Sequence, residues 1–174
     1  ELAAFDMRKD EVILRDSSGF YVSDGRTSHE GIEYQVFWQP RDWLQAGVGG
    51  TFARHRYEFS KAVEGGETIT RGNDVDTAPR ELLRASIEVR PSEAFSAEAE
   101  WLVVGDYFVD ASNQHRYPGH EVLNLRAAWD LAPRWTAVLR VNNVLDRRYA
   151  DRADYAFGDY RYFPGRPRSV FAEV

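Results

Sequence analysis

The chain has 174 residues, with 22 basic against 28 acidic side chains and a formal net charge of -6; at a pI near 5.3 this acid excess argues against a general nucleic-acid binder. It contains no cysteine, which excludes a disulfide framework and thiolate chemistry. No apolar run approaches the roughly 18–20 residues of a membrane helix, and the mean hydropathy of -0.54 resembles that of a soluble protein, but such an average is uninformative for a membrane β-barrel, whose lipid-facing and lumen-facing residues alternate and cancel.

Period-two alternation dominates from the first residues onward. The N-terminus is already strand-like, with no basic segment followed by an apolar one, so the chain is expected to be a fragment or a processed product rather than to carry a signal peptide. Strands are predicted over 1–14, 27–39, 43–59, 79–90, 94–108, 120–131, 134–145 and 167–174. In the second, Ile32, Tyr34, Val36 and Trp38 oppose Glu33, Gln35 and Phe37. In the fourth, Leu83, Ala85, Ile87 and Val89 oppose Arg84, Ser86, Glu88 and Arg90. In the fifth, Phe95, Ala97, Ala99, Trp101 and Val103 oppose Ser96, Glu98, Glu100 and Leu102. In the sixth, Leu123, Leu125, Ala127, Trp129 and Leu131 oppose Asn124, Arg126, Ala128 and Asp130.

The connections alternate in length. Pro40-Arg41-Asp42, Pro91-Ser92-Glu93 and Ala132-Pro133-Arg134 read as tight turns, where proline pre-sets φ and surrenders no ladder bond. Residues 15–26, 60–78, 109–119 and 146–166 read as long polar loops. Short turns at one end and long loops at the other are the asymmetry of an outer-membrane barrel. A strand of ~13 residues rises about 43 Å, or roughly 33 Å of height at a tilt near 40°, enough to cross an apolar band ~25 Å tall. Trp38 and Trp43 flank one turn and Trp129 and Trp135 another, as suits an interface that is apolar for the ring and wet for its N–H. Alternation by itself fits a soluble barrel or sandwich equally well, because turning a barrel inside out preserves the period.

The segment 146–168 holds the densest set of arginines and aromatics. Arg152, Tyr155, Tyr160, Arg161 and Tyr162 are the candidate ligand-binding residues, since guanidinium groups and tyrosine rings offer charge, hydroxyls and flat faces to an anionic or aryl-bearing ligand. Asp146, Asp151, Asp154 and Asp159 are interleaved with them, a pattern that fits a self-paired, strand-like extension as well as a ligand funnel. Asp74 and Asp76 lack the ligand spacing of a calcium loop, and a solvated loop is expected there. His29, His55, His115 and His120 show no helical zinc spacing, and His115 with Tyr117 reads as an ordinary surface loop. No nucleophile elbow or triad is present. Gly47, Gly49 and Gly50 fall within a strand without a following helix, which favours close backbone approach over phosphate binding. Neither a catalytic constellation, a cofactor nor a metal site is expected.

Near the C-terminus stand Val141-Asn142-Asn143-Val144-Leu145-Asp146-Arg147-Arg148-Tyr149 and then Tyr162-Phe163-Pro164-Gly165-Arg166-Pro167-Arg168. Together with Ser28-His29-Glu30-Gly31-Ile32-Glu33 and with Pro79-Arg80 after Gly72-Asn73-Asp74, their order and spacing resemble TonB-dependent outer-membrane receptors over nearly the whole chain. The resemblance implies an all-β fold: an antiparallel transmembrane β-barrel segment of about eight meander strands, with short periplasmic turns and long extracellular loops. It also implies that residues 1–174 are the C-terminal part of a 22-stranded barrel in the outer membrane of a Gram-negative bacterium, with the plug domain, the TonB-engaging box and the N-terminal strands absent. The implied role is import of a ferric siderophore or similar scarce nutrient. Its partners would be outer-membrane lipid, that ligand and, through the absent N-terminal region, the TonB complex. The last strand ends at Phe171-Ala172-Glu173-Val174 without the family's terminal aromatic, which adds to the expectation of a fragment. The alternatives are a stand-alone eight-stranded outer-membrane barrel of structural or adhesive role, a soluble lipocalin-like barrel and, least supported, a barrel-borne enzyme.

Overall fold

A computed structural model describes residues 1–174. In chain order the strands are β1 (Leu2–Arg15), β2 (Tyr21–Arg41), β3 (Leu44–Tyr57), β4 (Lys61–Ala62), β5 (Thr68–Ile69), β6 (Glu81–Ser92), β7 (Phe95–Val104), β8 (Tyr107–Phe108), β9 (Arg116–Tyr117), β10 (His120–Ala132), β11 (Trp135–Asn142), β12 (Ala150–Ala156), β13 (Asp159–Pro164) and β14 (Ser169–Glu173), with one 3₁₀ turn at Glu64–Gly66. Eight of them form a single sheet in the order β1-β2-β3-β6-β7-β10-β11-β14, and β4-β5, β8-β9 and β12-β13 are separate two-stranded pieces within the loops. Every pairing in the large sheet is antiparallel. It is an open meander with β1 and β14 at its edges.

The expected strands are all present, with two differences in their connections. The segment 15–26, read as a long loop, is mostly strand: β1 runs to Arg15, β2 starts at Tyr21, and Asp16 closes the short turn by accepting the N–H groups of Ser18 and Phe20. Its register slips between Lys9 and Val12 and again before Leu14, the mark of bulges that bend and twist a long hairpin. The tight turns also sit about two residues later than Pro40 and Pro91 suggest. Arg41 pairs with Leu44 and Ser92 with Phe95, and each proline falls within the register shift just before its turn, where no ladder bond is needed from its nitrogen.

The register aligns the two faces across all the strands. Val48, Ala85, Trp101 and Leu123 follow one another along one row, and Phe52 pairs with Ile32, Leu125 with Val141, and Leu139 with Ala172. On the other face, Arg84 Nε donates to Glu100 Oε1 at 2.6 Å and Asn124 Nδ2 to Glu100 Oε2 at 3.0 Å. Only 14 of the 174 residues are buried, while Val36, Trp38, Trp129 and Leu139 of the apolar face stay exposed, Trp129 by 56%. A sheet that leaves its large apolar side chains uncovered has no water-soluble core of its own, and an apolar solvent for that face resolves the conflict. The dimensions agree. On β10 the first charge on this face is Glu121 and the last apolar residue Leu131, a run of ~34 Å along the strand and about 26 Å of height at a 40° tilt.

Candidate ligand-binding loops

The long-loop end of the sheet carries the only sizeable buried cluster, formed by Tyr107, Val109, Tyr117, Ala150 and Ala153. The packed core of this chain therefore sits above the membrane-spanning strands, where the β12–β13 hairpin lies on the β8–β9 loop. Alanines at 150 and 153 let the two backbones approach closely. Two tyrosine hydroxyls then satisfy the amides that this approach buries: Ala153 N–H donates to Tyr107 Oη at 2.9 Å and Ala150 N–H to Tyr117 Oη at 3.0 Å. Tyr155 N–H adds a bond to Val109 O at 2.9 Å.

The hairpin is fixed to the sheet by the residues of the C-terminal motif. Asn143, with φ of 49° and its side chain fully buried, donates its amide N–H to Asn124 Oδ1 at 3.0 Å. Its Nδ2 donates to the carbonyls of Arg147 and Arg166, and its Oδ1 accepts Arg147 N–H. Asp146 Oδ1 accepts Arg168 N–H at 3.1 Å. A Cβ on Gly165 would overlap the Tyr149 ring, and Gly165 N–H donates to Tyr149 O at 2.9 Å. Asn143, Asp146, Tyr149 and Gly165 thus form the clasp that closes β11 and β14 around the intervening hairpin.

Above that clasp the five candidate residues separate onto two faces of the β12–β13 hairpin. Tyr155 pairs with Tyr160, and Ala153 with Tyr162, on the face that meets the β8–β9 loop. Arg152 Nη2 and Arg161 Nε bond the two oxygens of Asp154 at 3.1 and 2.6 Å on the opposite face, where Arg152 also lies over Phe163 and Arg161 over Phe157. The arginines are thus paired within the hairpin.

The tyrosines belong to a longer aromatic ladder. His115 stacks on Tyr155 with centroids 3.5 Å apart. Tyr155 meets Tyr160 at 5.4 Å, Tyr160 stacks parallel to Tyr162 at 5.9 Å, and Tyr162 faces Tyr117 at 6.3 Å. Tyr117 then meets His120 at 6.0 Å, and His120 stacks on Tyr149 at 4.5 Å. His120 shares the polar face of β10 with Asn124 and Arg126, so the ladder climbs from the polar face to the outermost loops. His115, His120 and Tyr149, half-buried, and Tyr117, buried in the core cluster, complete a ladder of which the sequence singled out only the tyrosines of the hairpin.

A buried acidic turn supports this ladder from below. Asp110 lies below the ordinary carboxylate range. Burial alone would raise it, but bonds from the Ser112 hydroxyl and from the amides of Gln114 and His115 outweigh that effect. The loop 60–78 packs against it. Glu67 Oε2 accepts Ala111 N–H at 2.8 Å, Asp76 accepts the Tyr57 hydroxyl at 2.6 Å, and Asp74 holds Arg80 at 2.6 Å, so this segment is braced rather than simply solvated. Burial pushes the Glu67 carboxyl upward, the Ala111 bond opposes that, and the charges of Asp110 and Asp76 reinforce it. Burial likewise raises the Tyr117 phenol, against its bond with Ala150.

Comparison with known proteins places these features in a wider set. Residues 1–144 match the family model described as TonB dependent receptor-like, beta-barrel. The metal-pseudopaline receptor of Pseudomonas aeruginosa is 29% identical over 176 residues, covering 97% of this chain and 24% of the receptor. The ferrioxamine receptor of Yersinia enterocolitica is 27% identical over 180 residues, covering 99% of this chain and 24% of the receptor. Among solved structures, the ferric yersiniabactin uptake receptor of Yersinia pestis superposes with a TM-score of 0.81 at 19% identity, covering 97% of this chain and 26% of that one. The chain spans about a quarter of the length of the relatives it matches.

Proposed function

The chain belongs to the family of TonB-dependent receptor β-barrels, and from that premise we propose that it forms the C-terminal part of a receptor that imports a ferric siderophore or a similar chelated nutrient. The sheet is outer-membrane barrel wall of a Gram-negative cell, with its apolar face toward lipid and its polar face toward the lumen. Transport would be energised by TonB acting on a region of the protein outside these 174 residues. The two open edges fit such a role, since unpaired backbone groups within a bilayer cost several kcal/mol each until neighbouring strands cover them.

The observation that carries the reading is the aromatic ladder from His115 to Tyr149, whose exposed rungs are Tyr160 and Tyr162 and whose middle rung, Tyr117, is packed in the core beneath them. Flat rings in sequence along a descending path suit a ligand with aryl or planar chelating groups. Tyr155, Tyr160 and Tyr162 are proposed as ligand contacts on that ladder. Arg152 and Arg161 are proposed to contribute positive potential from the hairpin's other face, in balance with Asp154. The names of the relatives, with ferrioxamine and metal-pseudopaline as their ligands, support a metal-chelate substrate class.

The test uses the full-length receptor in outer-membrane vesicles and a panel of radiolabelled ferric hydroxamates, ferric catecholates and carboxylate-type metal chelates. The expected result is saturable binding of one class. Tyr160→Ala combined with Tyr162→Ala should weaken it at least tenfold, with unchanged amounts of heat-resistant, folded barrel. Undiminished affinity in the double variant rejects the ladder as the ligand path.

A further inference from the structure

A second site lies on the polar face of β2 and β3, away from the ladder. His29 and His55 pair directly across the two strands, and their Nδ1 atoms stand 2.9 Å apart. Both imidazoles are partly buried, and His29 Nε2 lies 2.9 Å from the hydroxyl of Thr27, a residue that is itself buried. Thr27 Oγ1 can accept the proton of His29 Nε2–H, which leaves Nδ1 of that ring as the lone-pair atom. Such a bond on the far nitrogen is the arrangement that orients a metal-ligating histidine and raises its basicity.

From this geometry we propose that His29 and His55 form a two-nitrogen site for a first-row divalent cation of the copper, nickel and zinc class. An ion held about 2.0–2.1 Å from each imidazole nitrogen at the right angle of a tetragonal centre sets the nitrogens about 2.8–3.0 Å apart, which matches the spacing in the structure. In the empty pair the contact is an N–H···N hydrogen bond, so one Nδ1 carries a proton. Binding requires the other tautomer of His55, so its proton leaves Nδ1 while Nε2 takes one up from solvent, with no net release, and a modest rotation of each ring turns both lone pairs toward the ion. The segment Asp74–Asp76 crosses the end of β3, where Val75 N–H donates to His55 O at 2.8 Å; Asp74 acts on His55 from there while it is also paired with Arg80. Two protein nitrogens leave the remaining positions to water or to donor atoms of an arriving chelate. His29 and His55 are 26 residues apart, and only the strand register brings them together.

Copper(II) is the probe, titrated into the full-length protein in detergent and followed by electron paramagnetic resonance. The expected signal is one equivalent of a tetragonal centre whose superhyperfine pattern shows two imidazole nitrogens. His29→Gln and His55→Gln should each abolish that centre or weaken it at least tenfold, while the combined His115→Gln and His120→Gln variant retains it. Thr27→Val keeps both imidazoles and serves even where a histidine variant misassembles; it should weaken binding by about 10–100-fold with the two-nitrogen pattern preserved. Absence of the two-nitrogen signal in the parent protein overturns the proposal, as does unchanged copper affinity across the His29, His55 and Thr27 variants, which would reduce the pair to a hydrogen bond between neutral rings.

Discussion

The ring of Tyr149 fills the space that a side chain at Gly165 would need, and the Gly165 amide donates to the Tyr149 carbonyl, so these two residues lock the exit of β11 to the start of β14. Gly165→Ala is therefore expected to destabilise the assembled barrel by roughly 1–3 kcal/mol, the usual effect of overpacking. Tyr149→Ala in the same chain should recover part of that loss, because it removes the group being struck, with a coupling of about 0.5–3 kcal/mol in a double-mutant cycle. Denaturant titration of the folded, heat-modifiable form measures both.

Tyr107 supplies the only hydroxyl partner of the buried Ala153 amide. Tyr107→Phe keeps the ring in the cluster and removes the acceptor, which leaves a buried donor unsatisfied at a cost of about 1–3 kcal/mol. The loss should be local. Hydrogen exchange of peptides spanning 150–164 should quicken while that of β10 and β7 stays unchanged; global acceleration would contradict the separation of cap and wall.

Ala127 and Ala128 are neighbours in β10 that face opposite ways. Ala127→Arg, on the lipid face near mid-membrane, should cost ~2–4 kcal/mol, whereas Ala128→Arg, on the polar face, should cost far less. Equal effects in folding titrations into lipid vesicles would overturn the assignment of the faces.

The loop around Asp110 should open in acid. Its folded carboxyl titrates below the ordinary aspartate value, so folding favours the ionised form. That stabilisation is complete above the ordinary value near 3.8 and is lost as pH falls through the lower folded value. Exchange of the 107–117 peptides, corrected for intrinsic rate, should therefore accelerate in that acid window. Asp110→Asn should remove the pH dependence while lowering protection at neutral pH.

Strands and faces were legible in the sequence because both follow from period two, which is local: the alternation of Leu123, Leu125, Ala127 and Trp129 with Asn124, Arg126 and Ala128 is the face assignment itself. The extension of β2 back to Tyr21 was not, since its polar residues beyond the membrane band alternate no longer and only pairing with β1 holds them extended. For the site, the tyrosines of 155–162 could be picked out from composition. Their partners could not, because His115 on Tyr155 and Tyr107 on Ala153 are contacts between loops 40 or so residues apart, fixed by docking and not by any spacing along the chain. Arg152 and Arg161 are self-paired through Asp154, as the interleaved acids suggested, and their side chains remain exposed.

The hydrogen bonds from Ala150 and Ala153 to Tyr117 and Tyr107 have a consequence for recognition itself. A loop surface that becomes ordered only when its ligand arrives loses part of the interaction energy to that ordering. On the proposed ligand path, Tyr160 and Tyr162 are already held by the packed hairpin beneath them, so that surface is preorganised and little ordering remains for an encounter. Under that proposal, affinity is limited by how well a ligand fits the rings, and discrimination among chelates of similar charge becomes a matter of shape.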